Sequence, residues 1–532
     1  MENIKKLTRD RIRGSLMAGA VGDALGYPVE FMSLVQIHEA YGKSGIKLFD
    51  LDNEGKALIS DDTQMTLFTA NGLLTGITRG ATRGICGAPE SYVEFAYIDW
   101  YLTQMGETDL RQRLCKHTWL RDLPEMAHHR APGNTCLSAC KRLLMQEKVN
   151  NNSKGCGGLM RVAPMALLMA HYWSIGGKVP YSSSRMDEAG ATIAAVTHKH
   201  PLGFLPGAML THLLYKIITN DPTEVKRNIR SYARETIEAM EQLYPNQYKS
   251  HKFFLRFLTE RAIKFATNDQ SDRENIQLLG EGWTAEDAWA IALYCAMRHV
   301  DSVEDAIIAA VNHNGDSDST GAICGNIMGA IYGYKHIKQH RIFCPNGKEL
   351  EQTLELSNII LAIADDLALG CNWEDYQSDE MRQWMARYSE MLPAGIHTAC
   401  IYNRPFAPSR ITHLEPNEVF VFGSNLEGMH MGGAAQYALH HFGALWGKGV
   451  GPQGQSYAIP TMHGGVKVIK SYVDDFIIYA KEHPAHTFLV SQIGCGIAGF
   501  DVEEIAPLFK DALGVKNILL PEAFVDCLTR HV

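Results

Sequence analysis

The stretch GSLMAGAVGDALGYPVEF, residues 14–31, decides how the longer part of the chain is read. Gly14, Ala18, Gly22 and Gly26 recur every four residues and so share one face of a helix. A glycine inside a helix costs about 1 kcal/mol. A whole face of them makes sense where a neighbouring helix comes close enough to leave no room for side chains. A second such face lies far along the chain, in NHNGDSDSTGAICGNIMGAIYG, residues 312–333, with Gly321, Gly325, Gly329 and Gly333 at the same spacing. In a bilayer this pattern marks associating helices, but Asn326 interrupts it and the apolar run is too short to span. The spacing therefore predicts tight helix packing within a soluble, all-α core.

The bulk properties fit that reading. The chain has 532 residues, 46% hydrophobic and 20% charged, as in ordinary globular proteins. Its length suggests two to four domains at roughly 100–200 residues each. A formal net charge of −9 argues against a broad surface for nucleic acid or anionic membrane. The N-terminal MENIKKLTRDRIRG has no apolar core of a secretory signal. The 12 cysteines are scattered without a C-x-x-C pair, and Cys136 and Cys140 have no partners to complete a zinc site. Reduced thiols and a cytoplasmic location, with no membrane contact, are the expectation.

Residues 1–395 are read as an all-α domain, with helical periods over 285–299 and 353–368 and a glycine-rich loop over 151–164. The texture changes in AGIHTACIYNRPFAPSRITHLEP, which carries three prolines, and the linker is placed at 396–414. Residues 415–532 alternate short apolar runs (Val419–Phe422, Tyr457–Ile459, Phe488–Ile493, Ile518–Leu520) with helical stretches from about Ala434 and over 466–481. That alternation predicts a small α/β domain.

Acids gather at the start of two predicted helices, as Ser60-Asp61-Asp62-Thr63 and Asp316-Ser317-Asp318-Ser319-Thr320. Helix capping and the helix dipole account for one or two acids per helix. So many carboxyls and hydroxyls at two tight turns also suit a hard cation. Magnesium takes oxygen ligands, and four carboxylates could hold two ions that clamp an oxygen nucleophile. Glu30, just beyond the first glycine face, is a candidate acid or base.

These segments resemble the ADP-ribosylglycohydrolase family, of the type that reactivates dinitrogenase reductase. The carriers are residues 14–31, SDDTQMT, GNTCLSA (133–139), NNSKGCGGLMRVAPMAL (151–167), THKHPLG (197–203) and GDSDSTGAICGN (315–326). The resemblance implies an all-α bundle holding two magnesium ions. Their ligands would be Ser60, Asp61, Asp62, Asp316, Asp318 and Ser319, with Glu30 beside them and Glu30 or Asp62 as the catalytic group. It further implies that Gly157, Gly158 and Arg161 line an ADP-ribose site with His198 nearby, although a lone histidine is as readily a structural one. The implied reaction is hydrolysis of the glycosidic bond between ADP-ribose and a modified protein or nucleic acid, reversing a regulatory transferase or a toxin.

The last part resembles a macro-domain-like family of phage and bacterial proteins, through VFGSNLEGMHMGGAAQYA, GQSYAIPT and SQIGCGIAGF. That resemblance implies ADP-ribose binding by Asn425 and by two glycine loops, Gly432 and Gly433 in one and Gly494, Gly496 and Gly499 in the other. Two other functions suit the residues. One is a non-catalytic reader of ADP-ribose. The other is a metal-dependent phosphoesterase, for which clustered aspartates serve equally.

Overall fold

A computed structural model describes the chain except residues 1, 84–86, 107–116, 177–181, 340–342, 372–378, 389–405, 409–410, 497 and 530–532. Residues 396–405 and 409–410 of the expected linker therefore lie outside the described residues. The described part forms two compact units, one from residues up to 391 and one from residues after it.

The first unit is helical. Its central pair is α1 (Glu2–Gly26) and a later helix at Ser317–Tyr332. Between them in sequence come α2 (Asp61–Arg83) and α3 (Pro201–Thr219); Ser317–Tyr332 is α4. The two glycine faces foreseen from sequence pack on each other, and they do so antiparallel. A Cβ on Gly14 would lie 2.4 Å from the Gly329 carbonyl oxygen, on Gly22 2.0 Å from that of Gly321, and on Gly26 2.4 Å from that of Ser317. In the other direction, a Cβ on Gly325 would lie 2.0 Å from the Ala18 carbonyl. The backbones are in direct contact. Asn326 does not spoil the seam, because Gly19 stands opposite it and Ser15 Oγ donates to its carbonyl at 3.0 Å.

Buried Arg11 of α1 ties this pair to α3. Its guanidinium donates to the carbonyls of Ile217, Ile218 and Asn220, the open carbonyl end of α3, where a cation is favoured. Helix α3 is long and apolar enough to cross a membrane, yet 78% of its apolar window is buried inside the unit. The expected helices over 285–299 and 353–368 occur as Ala285–Arg298 and Ser357–Leu369. The second starts late because Leu356 takes a left-handed φ of +56° and breaks it from a short turn at Leu350–Thr353. The glycine-rich segment is a loop to Gly155, then a 3-10 turn at Cys156–Gly158, with the next helix opening at Ala163.

The second unit is a five-stranded mixed sheet in the order β2-β3-β1-β4-β5. Its strands are β1 (Glu418–Ser424), β2 (Gly451–Gln453), β3 (Ser456–Pro460), β4 (Thr487–Val490) and β5 (Ile518–Leu519). β1 pairs in parallel with both β3 and β4, and β5 adds in parallel to β4; only β2 is antiparallel. Side chains alternate across the sheet. Phe420 and Phe422 enter one core with α5 (Gly433–His441), and Val421 enters the other with α6 (Val466–Glu482). β2 was not foreseen: it is a three-residue edge strand containing Pro452, which only an edge tolerates. Phe406, Ala407, Ile411 and Leu414, inside the expected linker, are buried in the cores of this unit.

The contact between α1 and α4 sets a stability test. Gly22→Ala and Gly325→Ala should each cost on the order of 1–3 kcal/mol in urea unfolding, or prevent folding. Gly133→Ala should be nearly neutral, since its Cβ would meet only Cys136 Sγ, at 3.9 Å. Unchanged midpoints for the first two variants would show that the backbone contact does not limit stability.

Candidate active site

Three chain segments of the first unit converge on one acidic centre. The α1–α4 contact brings the end of α1 to the start of α4. Asp23 lies near that end, and Glu30 follows a 3-10 turn at Tyr27–Val29. Asp316 caps α4 by accepting from Ser319 N at 3.2 Å, while Asp318 Oδ1 accepts from the same N–H at 2.9 Å. Ser60 begins α2, its Oγ accepting from Asp62 N at 3.2 Å. Asp61 Oδ2 accepts from Gly133 N at 3.2 Å. The capping roles read from sequence are thus real for Ser60 and Asp316, and they do not exhaust the acids.

Asp23, which the sequence reading passed over, is the hinge of this arrangement. It is fully buried, and its carboxylate accepts from Ser60 N at 2.9 and 3.1 Å and from Thr63 N at 3.1 Å. It therefore fixes the start of α2 against α1. The signal was present: a lone acid in the apolar and glycine run Leu16–Leu25 of α1. Two further residues were missed. Cys156 of the glycine loop places Sγ 2.6 Å from Asp316 Oδ2. Glu355 accepts from Ile59 N at 3.1 Å and from Arg130 at 2.8 Å, and nothing local in sequence marks it.

The electrostatics are severe. Burial raises the carboxyl pKa of Asp61, Asp62 and Asp318 well above the ordinary range; Asp318 adds to the shift for the first two and Asp316 for the third. Asp316 is raised by burial, against hydrogen bonds from its neighbours. Asp23 is pushed up to about 7 by burial and by Asp318. Glu30 reaches about 10, through burial and then the charges of Asp318, Asp316, Asp61 and Asp23. Two oxygens in this centre, Glu30 Oε2 and Asp62 Oδ1, are buried without any hydrogen-bond partner. Carboxylates so placed need protons or a cation. Among the described residues, no three His, Cys, Asp or Glu side chains stand close enough to enclose an ion by themselves. Hydroxyls, main-chain oxygens and water would complete a shell, as a hard cation accepts. The orphaned oxygens and the oxygen-only acids fit such an ion.

The glycine loop forms another wall. Gly157 and Gly158 stand in a tight fit: a Cβ on Gly157 would meet Cys136 Sγ at 3.0 Å and the His198 ring at 3.3 Å, and one on Gly158 the Ala194 and Gly203 carbonyl oxygens at 3.1 Å and the His198 ring at 3.2 Å. His198 is buried, its Nδ1 2.8 Å from Thr197 Oγ1, and burial with the charge of Arg161 holds its pKa down to about 3, so the ring is neutral. Arg161 is fully buried, with its guanidinium 4.3 Å from the Tyr97 ring centroid and its Nη1 3.1 Å from Met65 Sδ. Both side chains lie under the loop as supports.

In the second unit, a cleft open to solvent lies at the carboxyl ends of β1, β3 and β4. Open α/β sheets bind ligands at this edge, where strand order reverses. Asn425, Gly432, Gly433, Gly494 and Gly496 line it; Gly499 does not. Asn425 Oδ1 accepts from Met429 N at 2.8 Å and so shapes the loop after β1. No charged side chain is among the described lining residues.

The comparisons with known proteins fall on the first unit. The model of the family described as ADP-ribosylglycohydrolase matches residues 5–383. The chain is similar to ADP-ribosylhydrolase ARH1 of Dictyostelium discoideum, 25% identical over 391 residues, covering 63% of this chain and 89% of that protein. It is similar to the ADP-ribosyl-dinitrogen reductase glycohydrolase of Rhodospirillum rubrum, 23% identical over 336 residues, covering 62% and 87%. It is also similar to ADP-ribosylarginine hydrolase Tri1 of Serratia proteamaculans, 22% identical over 337 residues, covering 62% and 73%. The family match runs through every acid of the centre between α1, α2 and α4, and on it the chain belongs to the ADP-ribosylglycohydrolase family of hydrolases.

Proposed function

We propose that the acidic centre of the first unit hydrolyses the bond between ADP-ribose and an ADP-ribosylated protein, releasing ADP-ribose and reversing a transferase of regulatory or toxin origin. The buried cluster of Glu30, Asp61, Asp62, Asp316 and Asp318, with two oxygens left unpartnered, carries this reading. The names of the relatives, which include an arginine hydrolase and a dinitrogen reductase glycohydrolase, support a protein acceptor and favour arginine.

Ser60, Asp61, Asp62, Asp316, Asp318 and Ser319 would hold the divalent cation, two magnesium ions by the number of carboxylates. Bound there, a hard cation supplies positive charge that orients the hydroxyls of the reacting ribose. The carboxylates stabilise the oxocarbenium character that develops as the bond to the acceptor breaks. Glu30, with Oε2 free of any partner, takes the proton of the attacking water; Asp62 is the other candidate. Gly157 and Gly158 leave backbone room for the diphosphate above the support formed by His198 and Arg161. In the second unit, the uncharged cleft with Asn425, Gly432, Gly433, Gly494 and Gly496 binds ADP-ribose and raises the local concentration of modified target.

Arginine-, serine- and nucleic-acid-linked ADP-ribose should be incubated with the protein, with magnesium or with chelator, and free ADP-ribose followed by mass spectrometry. The expected result is magnesium-dependent release from the arginine-linked substrate, reduced about hundredfold or more by Asp318→Asn and by Asp62→Asn. Full turnover by both variants, or release of phosphate in place of ADP-ribose, would remove the assignment.

The raised carboxyl pKa values also set a pH dependence for the cation-free protein. Glu30 and Asp23 bind protons more tightly folded than unfolded, so their contribution to stability is complete below the ordinary carboxylate range. It is lost as pH rises, through about 7 for Asp23 and on toward about 10 for Glu30. Chelated protein should therefore melt lower near pH ~8 than near pH ~6, and magnesium should remove much of the difference. A melting temperature that does not respond to magnesium at either pH would place the cation elsewhere.

A further inference from the structure

Beside Glu30, two large aromatic side chains stand in water. Phe31 is 73% exposed and Trp283 39% exposed, and their rings stack with centroids 5.7 Å apart and an interplanar angle of 24°. The pair joins two walls of the acidic centre. Phe31 continues the segment that carries Glu30. Trp283 belongs to a segment fastened to the other wall: its carbonyl accepts from Cys156 N at 3.2 Å, and the Glu281 carbonyl accepts from Asp316 N at 2.9 Å. Gly282, at φ +84°, sits where a Cβ would lie 3.0 Å from the Asp316 carbonyl oxygen, so its backbone packs directly on the start of α4. The stacked rings are thus held at the edge of the acidic centre, each with its outer face free of the other.

The charges around the pair decide what planar group it suits. Glu30 is next to Phe31, and exposed Glu281 is two residues from Trp283. Lys154, whose carbonyl accepts from Ala285 N at 2.8 Å, is engaged by its own ammonium at 2.6 Å with Glu286. Exposed aromatic faces attract a flat cation, and the exposed Glu281 adds negative charge beside Trp283, which disfavours the end of the substrate that carries the diphosphate. Resting on the hydrolase reading above, we infer that Phe31 and Trp283 are a recognition platform for the guanidinium of an ADP-ribosylated arginine, and so determine acceptor specificity. The platform holds the leaving acceptor beside Glu30 by its cationic face.

Phe31→Leu and Trp283→Leu keep apolar bulk and remove the π faces. Two measurements read the platform, one through hydrolysis and one apart from it. The first is kcat and KM on arginine-linked ADP-ribose. The second is calorimetric titration of the intact protein with an alkylguanidine and with the uncharged alkylurea of the same shape. The double variant should lose roughly five- to tenfold in kcat/KM, carried by KM. Wild type should bind the alkylguanidine and not the urea, and the double variant should lose that binding while keeping its magnesium-dependent melting shift. Equal binding of guanidine and urea, or unchanged KM in the variants, would overturn the platform. Weakened binding of AMP with intact alkylguanidine binding would assign the rings to the adenine end and overturn it as well. If wild type releases no ADP-ribose from any substrate, the hydrolase reading fails at that point, and the guanidine titration still decides what the rings bind.

Discussion

The direct backbone contact between α1 and α4 is the constraint from which the first unit follows. A helix pair separated by ordinary side chains sits 8–10 Å apart between axes; a seam of glycines lets carbonyl oxygens of each helix occupy the space where Cβ atoms would be. The antiparallel run of that seam, Gly14 toward Gly329 and Gly26 toward Ser317, aligns the carboxyl end of one helix with the amino end of the other. The acids of the centre sit at that end. Asp23 then transmits the alignment to α2 by accepting from the first backbone amides of that helix. The acids are therefore held mainly at helix ends, and the glycine loop closes on them through Cys156.

Such a centre is expensive for the fold. Buried carboxyls that raise one another's pKa destabilise the protein whenever they are charged and uncompensated. The helix amino termini offset part of this, since Asp61, Asp62, Asp316 and Asp318 all lie in or at the first turn of α2 or α4. The rest is left to a ligand. On the proposed reading, a centre whose acids are already gathered by the helices is pre-formed for its cation.

Much of this was legible in the residues. The four-residue spacing of glycines announced close packing, and the paired acid clusters announced a common site. What spacing could not show is that the two glycine faces are partners, because each reads the same against any helix. Asn326 looked like an interruption until Gly19 was found opposite it. Asp23 and Glu355 work through backbone amides supplied by distant segments, and a sequence does not record which amides lack partners. For His198 and Arg161 the sequence carries no depth; the folded structure shows both side chains buried. In the second unit, alternating apolar runs located four strands. The fifth, β2, is too short and too rich in glycine and proline to carry a pattern.

The seam between α1 and α4 also has a meaning in time. Its two halves are encoded near opposite ends of the first unit, at residues 14–26 and 317–333. During synthesis, Asp23, Glu30 and the start of α2 leave the ribosome long before Asp316 and Asp318 exist. The most amino-terminal helix must wait, with its glycine face uncovered, for one of the last elements of its unit. A contact of such long sequence separation forms late in folding. While residues 31–315 are being added, the acids of the first half have no partners from the second, and the charged centre closes only once nearly the whole helical unit is available to contain it.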